Sequence, residues 1–154
     1  MAKFSDIAQL WATQAEKGPK VAGTAWRDGA VMGHHGTALA RIVETDHGKI
    51  ALVGRFGYTY GTNTSMLTNL AKCEARKAGL PVFMVATLDV TPGAHVKNMK
   101  AFSESAAEFD RKAERAKFPA RQEAGAMAER EALDSYARHF GFSGQDVIEA
   151  IQGS

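Results

Sequence analysis

The sequence predicts an α+β fold, with a small antiparallel sheet of four or five strands, helices packed on it and a C-terminal helical hairpin. Two observations predict this class. Residues 20–60 hold short β-branched stretches separated by glycines, which is typical of strands and tight turns. From residue 96 onward, apolar side chains recur in steps of three and four, which is the periodicity of helices. We therefore expect an α+β core domain over residues 1–93 and a helical extension of the same domain over residues 94–154.

The length and composition favour one globular domain. The chain has 154 residues, of which 45% are hydrophobic and 23% charged, close to the averages for folded proteins. The lone cysteine, Cys73, excludes an internal disulfide and suits a reducing compartment. The chain shows no signal-peptide pattern and no apolar stretch long enough to span a bilayer, so we expect a cytoplasmic protein with no membrane partner.

Charge is distributed unevenly along the chain. Residues 1–100 carry 12 Lys and Arg against 7 Asp and Glu, a net charge of +5. Residues 101–154 carry 7 against 10, a net charge of −3. The front part therefore suits an acidic partner, although its excess falls short of the concentrated basic stripe of dedicated nucleic-acid binders.

The N-terminal segment predicts a helix followed by short strands. Apolar residues at helical spacing indicate a helix over residues 5–17, with Ser5 as its cap and Gly18-Pro19 as its end. Residues 21–26 and 30–32 are β-compatible and flank an Arg-Asp-Gly turn signal, so they predict a short hairpin.

The middle of the chain contains the strongest strand and helix signals. Residues 37–44 and 49–56 are rich in apolar residues and are joined by a tetrapeptide ending in Gly48, so they predict the clearest hairpin. A helix is predicted over residues 65–78, between a threonine-rich turn and a Gly-Leu-Pro stop. A run over residues 82–90 with many β-branched residues then predicts a further strand.

Two long amphipathic helices and a short one account for the C-terminal third. Apolar spacing predicts one helix over residues 96–116, a break at Pro119, and a second helix over residues 124–139. Ser143 is placed to cap a short final helix. The predicted partner or dimer surface is the apolar stripe of the first long helix, formed by Val96, Met99, Phe102 and Phe109. The alternative is that this stripe packs on residues 124–140 of the same chain.

Polar side chains precede the middle helix, where the backbone N–H groups of a helix start favour an anion. The candidate residues for contact with an anion or a partner are Arg55, Tyr58, Tyr60, Thr62 and Asn63. In this hypothesis Arg55 contacts a phosphate and the tyrosine rings stack on bases. The alternative is ordinary helix capping by the same threonine-rich turn.

No pattern of catalytic, metal-binding or cofactor-binding residues is predicted. His34 and His35 are adjacent, so on a strand they point to opposite faces, and no Cys, Asp or Glu cluster lies at ligand spacing beside them. Cys73 falls inside a predicted helix, away from a helix start that would activate a thiol, so we expect a buried or half-buried apolar position. The glycines between residues 54 and 61 match neither phosphate-loop nor dinucleotide spacing.

Residues 35–70 contain an His-Gly-Thr start, a glycine turn, an apolar strand, a glycine-aromatic step and a threonine-rich turn before a helix. The residues that carry this pattern are His35, Gly36, Thr37, Ala40, Gly48, Ile50, Leu52, Gly57, Tyr58, Thr62, Asn63, Leu67 and Asn69. The pattern resembles a short domain of phage-encoded proteins of unknown function. Thr62-Asn63-Thr64 stands where that family often has Thr-Thr-Lys, so a basic contact is missing. The resemblance implies a phage origin and supplies no activity.

The order of His35-Gly36-Thr37, Gly57-Tyr58, a helix and an apolar strand is also similar to that of toxin-type ADP-ribosyltransferases. This resemblance implies that His35 bonds a ribose hydroxyl and that Tyr58 stacks on nicotinamide. The chain departs from the pattern because no glutamate-bearing strand follows residue 93. The acid would then be a helical glutamate, one of Glu104, Glu108 and Glu114.

Together these patterns predict a non-enzymatic phage accessory protein that binds a host macromolecule, as a host-takeover or anti-defence inhibitor. The partner is then a host protein or part of the nucleic-acid machinery, and the location is the host cytoplasm. Direct nucleic-acid binding and the transferase activity are the two alternatives. No cofactor is expected, and a homodimer through the apolar stripe stays open.

Overall fold

The computed structural model describes residues 2–55 and 61–153, and in this part of the chain five helices and six strands form an α+β protein. Contacts divide the chain into two compact units, Met1–Leu88 and Asp89–Ser154. The first unit contains the strands and two helices, and the second contains three helices. No helix among the described residues is long and apolar enough to cross a membrane.

The described strands of the first unit form one mixed sheet. They are β1 (Val21–Ala22), β2 (Ala25–Asp28), β3 (Val31–His34), β4 (Thr37–Thr45), β5 (Gly48–Gly54) and β6 (Val82–Val85). Their spatial order follows the chain, and each neighbouring pair from β1 to β5 is antiparallel. β6 pairs with β5 in parallel, with Gly54 opposite Val85. The sheet therefore has more strands than the expected four or five, and it is not purely antiparallel.

The helices explain the one parallel pair. They are α1 (Phe4–Ala12), α2 (Thr62–Lys77), α3 (Pro92–Arg115), α4 (Ala120–His139) and α5 (Gly144–Gln152). β4 and β5 are joined by a tight turn and are therefore antiparallel, whereas α2 lies between β5 and β6. A helical crossover of this kind returns the chain to the same end of the sheet, so the next strand runs parallel to the first.

The first two helices begin without the side-chain caps that the sequence suggests. In α1 the carboxylate of Asp6 accepts the backbone N–H of Lys3 at 2.7 Å, so Ser5 lies inside the helix rather than at its cap. α2 begins after Gly61, whose φ of 102° is a conformation that favours glycine, and no side chain of the described residues caps this helix. The expected capping by threonine and asparagine is therefore wrong for α2.

Hydroxyl caps start α3 and α5. Thr91 Oγ1 accepts the backbone N–H of Ala94 at 3.2 Å, and Pro92 occupies the first helical position, where no N–H is needed. α3 therefore starts earlier than predicted. At α5, Ser143 Oγ accepts the N–H of Asp146 at 3.1 Å and the Asp146 carboxylate accepts the N–H of Ser143 at 2.8 Å. This reciprocal pair confirms the predicted cap.

The core of the first unit includes buried side chains of α1, α2 and the sheet. The side of α2 that packs inward carries Thr64, Leu67, Thr68, Ala71 and Ala75. Met66 is 48% exposed and Cys73 is exposed, because both positions fall on the other side of the helix. The expectation that Cys73 is buried or half-buried is therefore wrong.

α3 and α4 pack as an antiparallel hairpin in the second unit. The ring centroids of Phe102 and Tyr136 are 5.6 Å apart. Nearer the turn, a Cβ added to Gly125 would lie 2.7 Å from the Phe109 ring, so the glycine makes room for this ring between the two helices. The predicted helical hairpin is present.

The predicted partner surface is largely turned inward. Met99 and Phe102 are each 1% exposed, Phe109 is half-buried, and Val96 is 38% exposed. Met99 and Phe102 therefore offer no area to a second molecule, and the contact of Phe102 with Tyr136 accounts for its burial within the chain. A homodimer stays a prediction.

Candidate anion-binding site

A small cleft opens at the carboxyl ends of the parallel strands β5 and β6. Its volume is about 170 Å³, and α2 forms one wall. The lining residues are Gly54, Arg55 and Met84 from the strand ends and Ser65, Thr68, Asn69 and Lys72 from the helix. In sheets with parallel strands, ligands bind outside the carboxyl ends of those strands. The cleft therefore lies where binding sites recur.

Helical spacing places the polar side chains of α2 on one wall. Ser65, Asn69 and Lys72 are separated by four and three residues, so they share one face of the helix. Leu67 and Ala71, on the other side, are fully buried in the core. The packing of α2 on the sheet thus turns a hydroxyl, an amide and an ammonium group toward the cleft.

Arg55 is the residue on which the sequence prediction and this cleft agree. Its backbone N–H donates to the carbonyl of Val85 at 3.0 Å, and its Nε donates to the carbonyl of Met84 at 2.6 Å. Both acceptors belong to β6. These two bonds hold the guanidinium at the rim of the cleft, directly after the end of β5.

The electrostatics of the cleft favour an anion. Arg55 and Lys72 line it, and none of its lining residues in the described part of the chain is an Asp or Glu. Over the same residues, Lys72 forms no salt bridge. Guanidinium, ammonium, hydroxyl and amide groups are the donors that proteins use for phosphate oxygens. The arrangement therefore fits a phosphate-sized anionic group.

A second, open hollow of about 460 Å³ continues the surface along α2. Its lining residues are Thr62, Ser65, Met66 and Asn69. Ser65 and Asn69 also line the cleft, so the two depressions are continuous. A ligand longer than one anionic group can extend from the cleft toward the start of α2.

A buried histidine fastens the first turn of α2 to the sheet. His34 Nδ1 lies 3.0 Å from Thr64 Oγ1, and its Nε2 lies 2.6 Å from Thr24 Oγ1. Burial lowers the pKa of His34 from 6.5, and the neighbouring His35 lowers it further, so the ring is neutral at pH 7. A neutral imidazole has one donor and one acceptor nitrogen, and two hydroxyl groups satisfy both. This bridge keeps the helix start in place beside the cleft.

The residues that the sequence predicts to contact an anion or a partner lie at different places relative to the cleft. Tyr58 and Tyr60 lie outside the described residues. Thr62 and Asn63 are exposed in the first turn of α2, and Thr62 lines the open hollow rather than the cleft. Of the predicted contact residues that the structure describes, Arg55 alone lines the cleft itself.

Sequence reasoning did not identify Ser65, Asn69 and Lys72. Their spacing is visible in the sequence, but an ordinary solvated helix face has the same pattern. What distinguishes them is the presence of Arg55 in the same cleft. That proximity depends on the parallel pairing of β5 and β6, which the sequence does not reveal.

The residues named for the transferase alternative are spread along the chain. His35 is exposed in the turn after β3 with a φ of 51°, whereas His34 is buried and its Nδ1 lies beside the buried hydroxyl of Thr64. Tyr58 lies outside the described residues, while Glu104 and Glu108 are exposed on α3 in the second unit. Among the described residues, no group of three or more His, Cys, Asp or Glu is arranged to hold a metal ion. The transferase activity stays a prediction.

Comparison of the chain with protein-family models, curated proteins and solved structures finds no match. The resemblance of residues 35–70 to a phage domain therefore stays a prediction.

Proposed function

We propose that this protein binds nucleic acid and that the cleft beside α2 holds one phosphate of the nucleic-acid backbone. The observation that carries the proposal is the presence of Arg55 and Lys72 in one small cleft, with Ser65 and Asn69 and no carboxylate among the lining residues that the structure describes. Phosphate contacts fix the position of a nucleic acid without reading its bases. Binding through this cleft is therefore expected to depend little on sequence.

The size of the cleft favours a polymer over an enclosed small molecule. Its volume of about 170 Å³ is below the roughly 300–1,000 Å³ of pockets that enclose a small ligand. One phosphate group fits, and the rest of its molecule must lie outside. The open hollow along α2 provides surface for the neighbouring part of such a chain.

The charge of the first unit supports an anionic ligand. Residues 1–88 carry 10 Lys and Arg against 6 Asp and Glu, a net charge of +4. A net positive charge raises the rate at which a polyanion reaches the surface. The local donors in the cleft then provide the short-range contacts.

The wider proposal is that this binding serves a phage accessory protein acting on the nucleic-acid machinery of a host cell. It rests on the sequence resemblance of residues 35–70. A pull-down from host lysate, with and without nuclease treatment, tests it. Partners that disappear after nuclease treatment would be held through nucleic acid, as the cleft proposal requires.

The direct test of the cleft is the fluorescence anisotropy of a labelled oligonucleotide with wild-type protein, Arg55→Ala and Lys72→Ala. Each substitution removes one phosphate contact. We therefore expect a Kd weaker by about three- to tenfold at low salt, and a slope of log Kd against log salt that is smaller by about 1. Thermal melts of both variants check that the fold is retained.

Lys77→Ala is the matched control for charge. Lys77 lies on the same helix, its side chain is 73% exposed, and it pairs with Glu74 away from the cleft. It should change the affinity little. Equal losses in all three variants would show that only net charge matters. An absence of binding to both single and double strands would refute the proposal.

A further inference from the structure

The turn between α3 and α4 exposes an aromatic ring. Phe118 is 79% exposed, which is the largest exposed fraction among the large apolar side chains of the described residues, and Val21 and Met127 follow at 61%. The turn is closed by Pro119, and α4 begins at the next residue. A phenylalanine in this position adds nothing to the core of the second unit.

Cations flank this ring in the sequence. Residues 111–121 contain five Lys and Arg against one acidic residue, although residues 101–154 as a whole carry a net charge of −3. Lys117 Nζ lies 5.7 Å from the centroid of the Phe118 ring. Arg115, Lys117 and Arg121 are exposed and form no salt bridge within residues 2–55 and 61–153. We call Arg115, Lys117, Phe118 and Arg121 the basic tip.

Helix stability does not explain all of these charges. Arg115 is the last residue of α3, where a cation is favourable because the helix dipole is negative at that end. Arg121 lies in the first turn of α4, where the dipole favours an anion instead. The helix dipole therefore does not account for a cation at this position.

We propose that the basic tip binds single-stranded nucleic acid, with one base stacked on Phe118 and the flanking phosphates on Arg115, Lys117 and Arg121. The inference rests on the proposed function, from which it takes nucleic acid as the class of ligand. It adds that the nucleic acid is single-stranded. A base offers its face to a protein ring only when it is not stacked inside a duplex. Stacking on an aromatic ring with cations nearby is how proteins hold single strands without sequence preference.

The apolar area of the tip argues against a lipid surface. Binding at a membrane interface uses a broad apolar face along a helix. In α3 that face is turned inward, since Met99 and Phe102 are each 1% exposed. Met127, the exposed large apolar residue of α4 among the described residues, lies roughly 10 Å along the helix from its start at Ala120. The tip therefore presents a single ring.

The test compares a labelled, unstructured oligonucleotide of about 12 nucleotides, within the usual range of single-strand site sizes, with a duplex of the same length. Phe118→Ala should weaken binding of the single strand about tenfold and leave binding of the duplex unchanged. Phe118→Trp should retain the affinity, and the single strand should quench its new fluorescence. Met127→Ala is the control, since it removes an equally isolated apolar side chain outside the tip.

The outcomes separate the tip from the cleft. If Phe118→Ala loses affinity for the single strand and Arg55→Ala does not, the result supports the tip and contradicts the cleft. The reverse pattern supports the cleft and overturns the tip. Equal affinities of wild type, Phe118→Ala and Phe118→Trp for the single strand would also overturn it. Binding to phosphatidylserine vesicles that requires Phe118, without single-strand binding, would overturn it in favour of a membrane.

Discussion

His34 in the first unit and His95 in the second are both buried, with 7% and 8% of their surfaces exposed. In each ring Nδ1 lies next to a hydroxyl, that of Thr64 at 3.0 Å for His34 and that of Tyr136 at 2.7 Å for His95. Burial lowers the pKa of both histidines. Both rings are therefore neutral at pH 7.

The surroundings of the two rings differ. The two hydroxyl partners of His34 come from different elements, Thr24 before β2 and Thr64 in α2, so this ring bridges a strand connection and a helix start. The ring of His95 instead lies among aromatic rings, with centroid distances of 4.2 Å to Phe140 and 5.4 Å to Phe142. The same imidazole thus fixes the docking of one helix in the first unit and forms part of the packed core in the second.

In the second unit, the buried side chains of His95 and Asn98 both contact the hydroxyl of Tyr136. This hydroxyl accepts a hydrogen bond from Asn98 Nδ2 at 3.0 Å and lies beside His95 Nδ1. Burial raises the pKa of Tyr136 to about 12, and the hydrogen bond from Asn98 acts in the opposite direction. One hydroxyl is therefore a polar partner of two buried side chains.

The largest expected effect comes from removing that hydroxyl. Tyr136→Phe keeps the ring but takes a partner from both Asn98 and His95, so we expect the free energy of unfolding to fall by about 2–3 kcal/mol. Urea denaturation followed by circular dichroism measures it. In Asn98→Ala one of the two contacts is already lost, so the same change should cost less there. If Tyr136→Phe alone lowers the free energy of unfolding by less than about 0.5 kcal/mol, the Tyr136 hydroxyl is not an important partner of these two side chains.

An intermediate effect is expected from His34→Ala. Water can reach Thr24, which is exposed, so the loss should be about 1–2 kcal/mol. It should also be local, with faster amide hydrogen exchange in the first turn of α2 than elsewhere in the first unit. His95→Ala provides the comparison, because it should speed exchange throughout α3 and α4. If His34→Ala instead speeds amide hydrogen exchange uniformly across the first unit, the contacts of His34 do not act only on the start of α2.

The smallest effect expected is the pH dependence that the two histidines share. Since burial lowers the pKa of each below 6.5 in the folded state, the unfolded chain binds protons first as the pH falls. Their contribution to stability is complete above pH 6.5 and is lost as the pH falls from there through the folded-state pKa values. The slope is at most about 1.4 kcal/mol per pH unit for each histidine.

Urea midpoints at pH 7.5 and 5.5 measure this dependence. The variants His34→Gln and His95→Gln should each show a smaller difference between the two pH values than the wild type. A difference between the two pH values that is as large in both variants as in the wild type would contradict the lowered pKa of both rings.

Local signals were sufficient for several elements. The hairpin predicted over residues 37–44 and 49–56 is confirmed as Thr37–Thr45 and Gly48–Gly54, because a glycine turn and apolar strands are encoded within a few residues. α5 begins at its predicted serine cap for the same reason. Pro92 shows the limit, since a proline after a threonine marks either a turn or a helix start.

The parallel strand pairing and the local concentration of positive charge could not be predicted from such local signals. Nothing in the run that contains β6 shows that it pairs with β5 in parallel, and the cleft with Arg55 and Lys72 depends on that pairing. The basic tip was concealed for another reason. Acidic residues elsewhere in residues 101–154 outweigh its cations in the net count, although the fold gathers those cations at one turn.

Cys73, the only cysteine of the chain, is exposed on α2. Two molecules can therefore be joined by one disulfide under oxidising conditions, and a covalent pair would form whether or not the chain dimerises through packing. A measurement of mass in solution reports on the packed dimer only in the presence of a reductant. The same thiol accepts a single probe beside Lys72, so a spin label or fluorophore there would report directly on occupancy of the cleft.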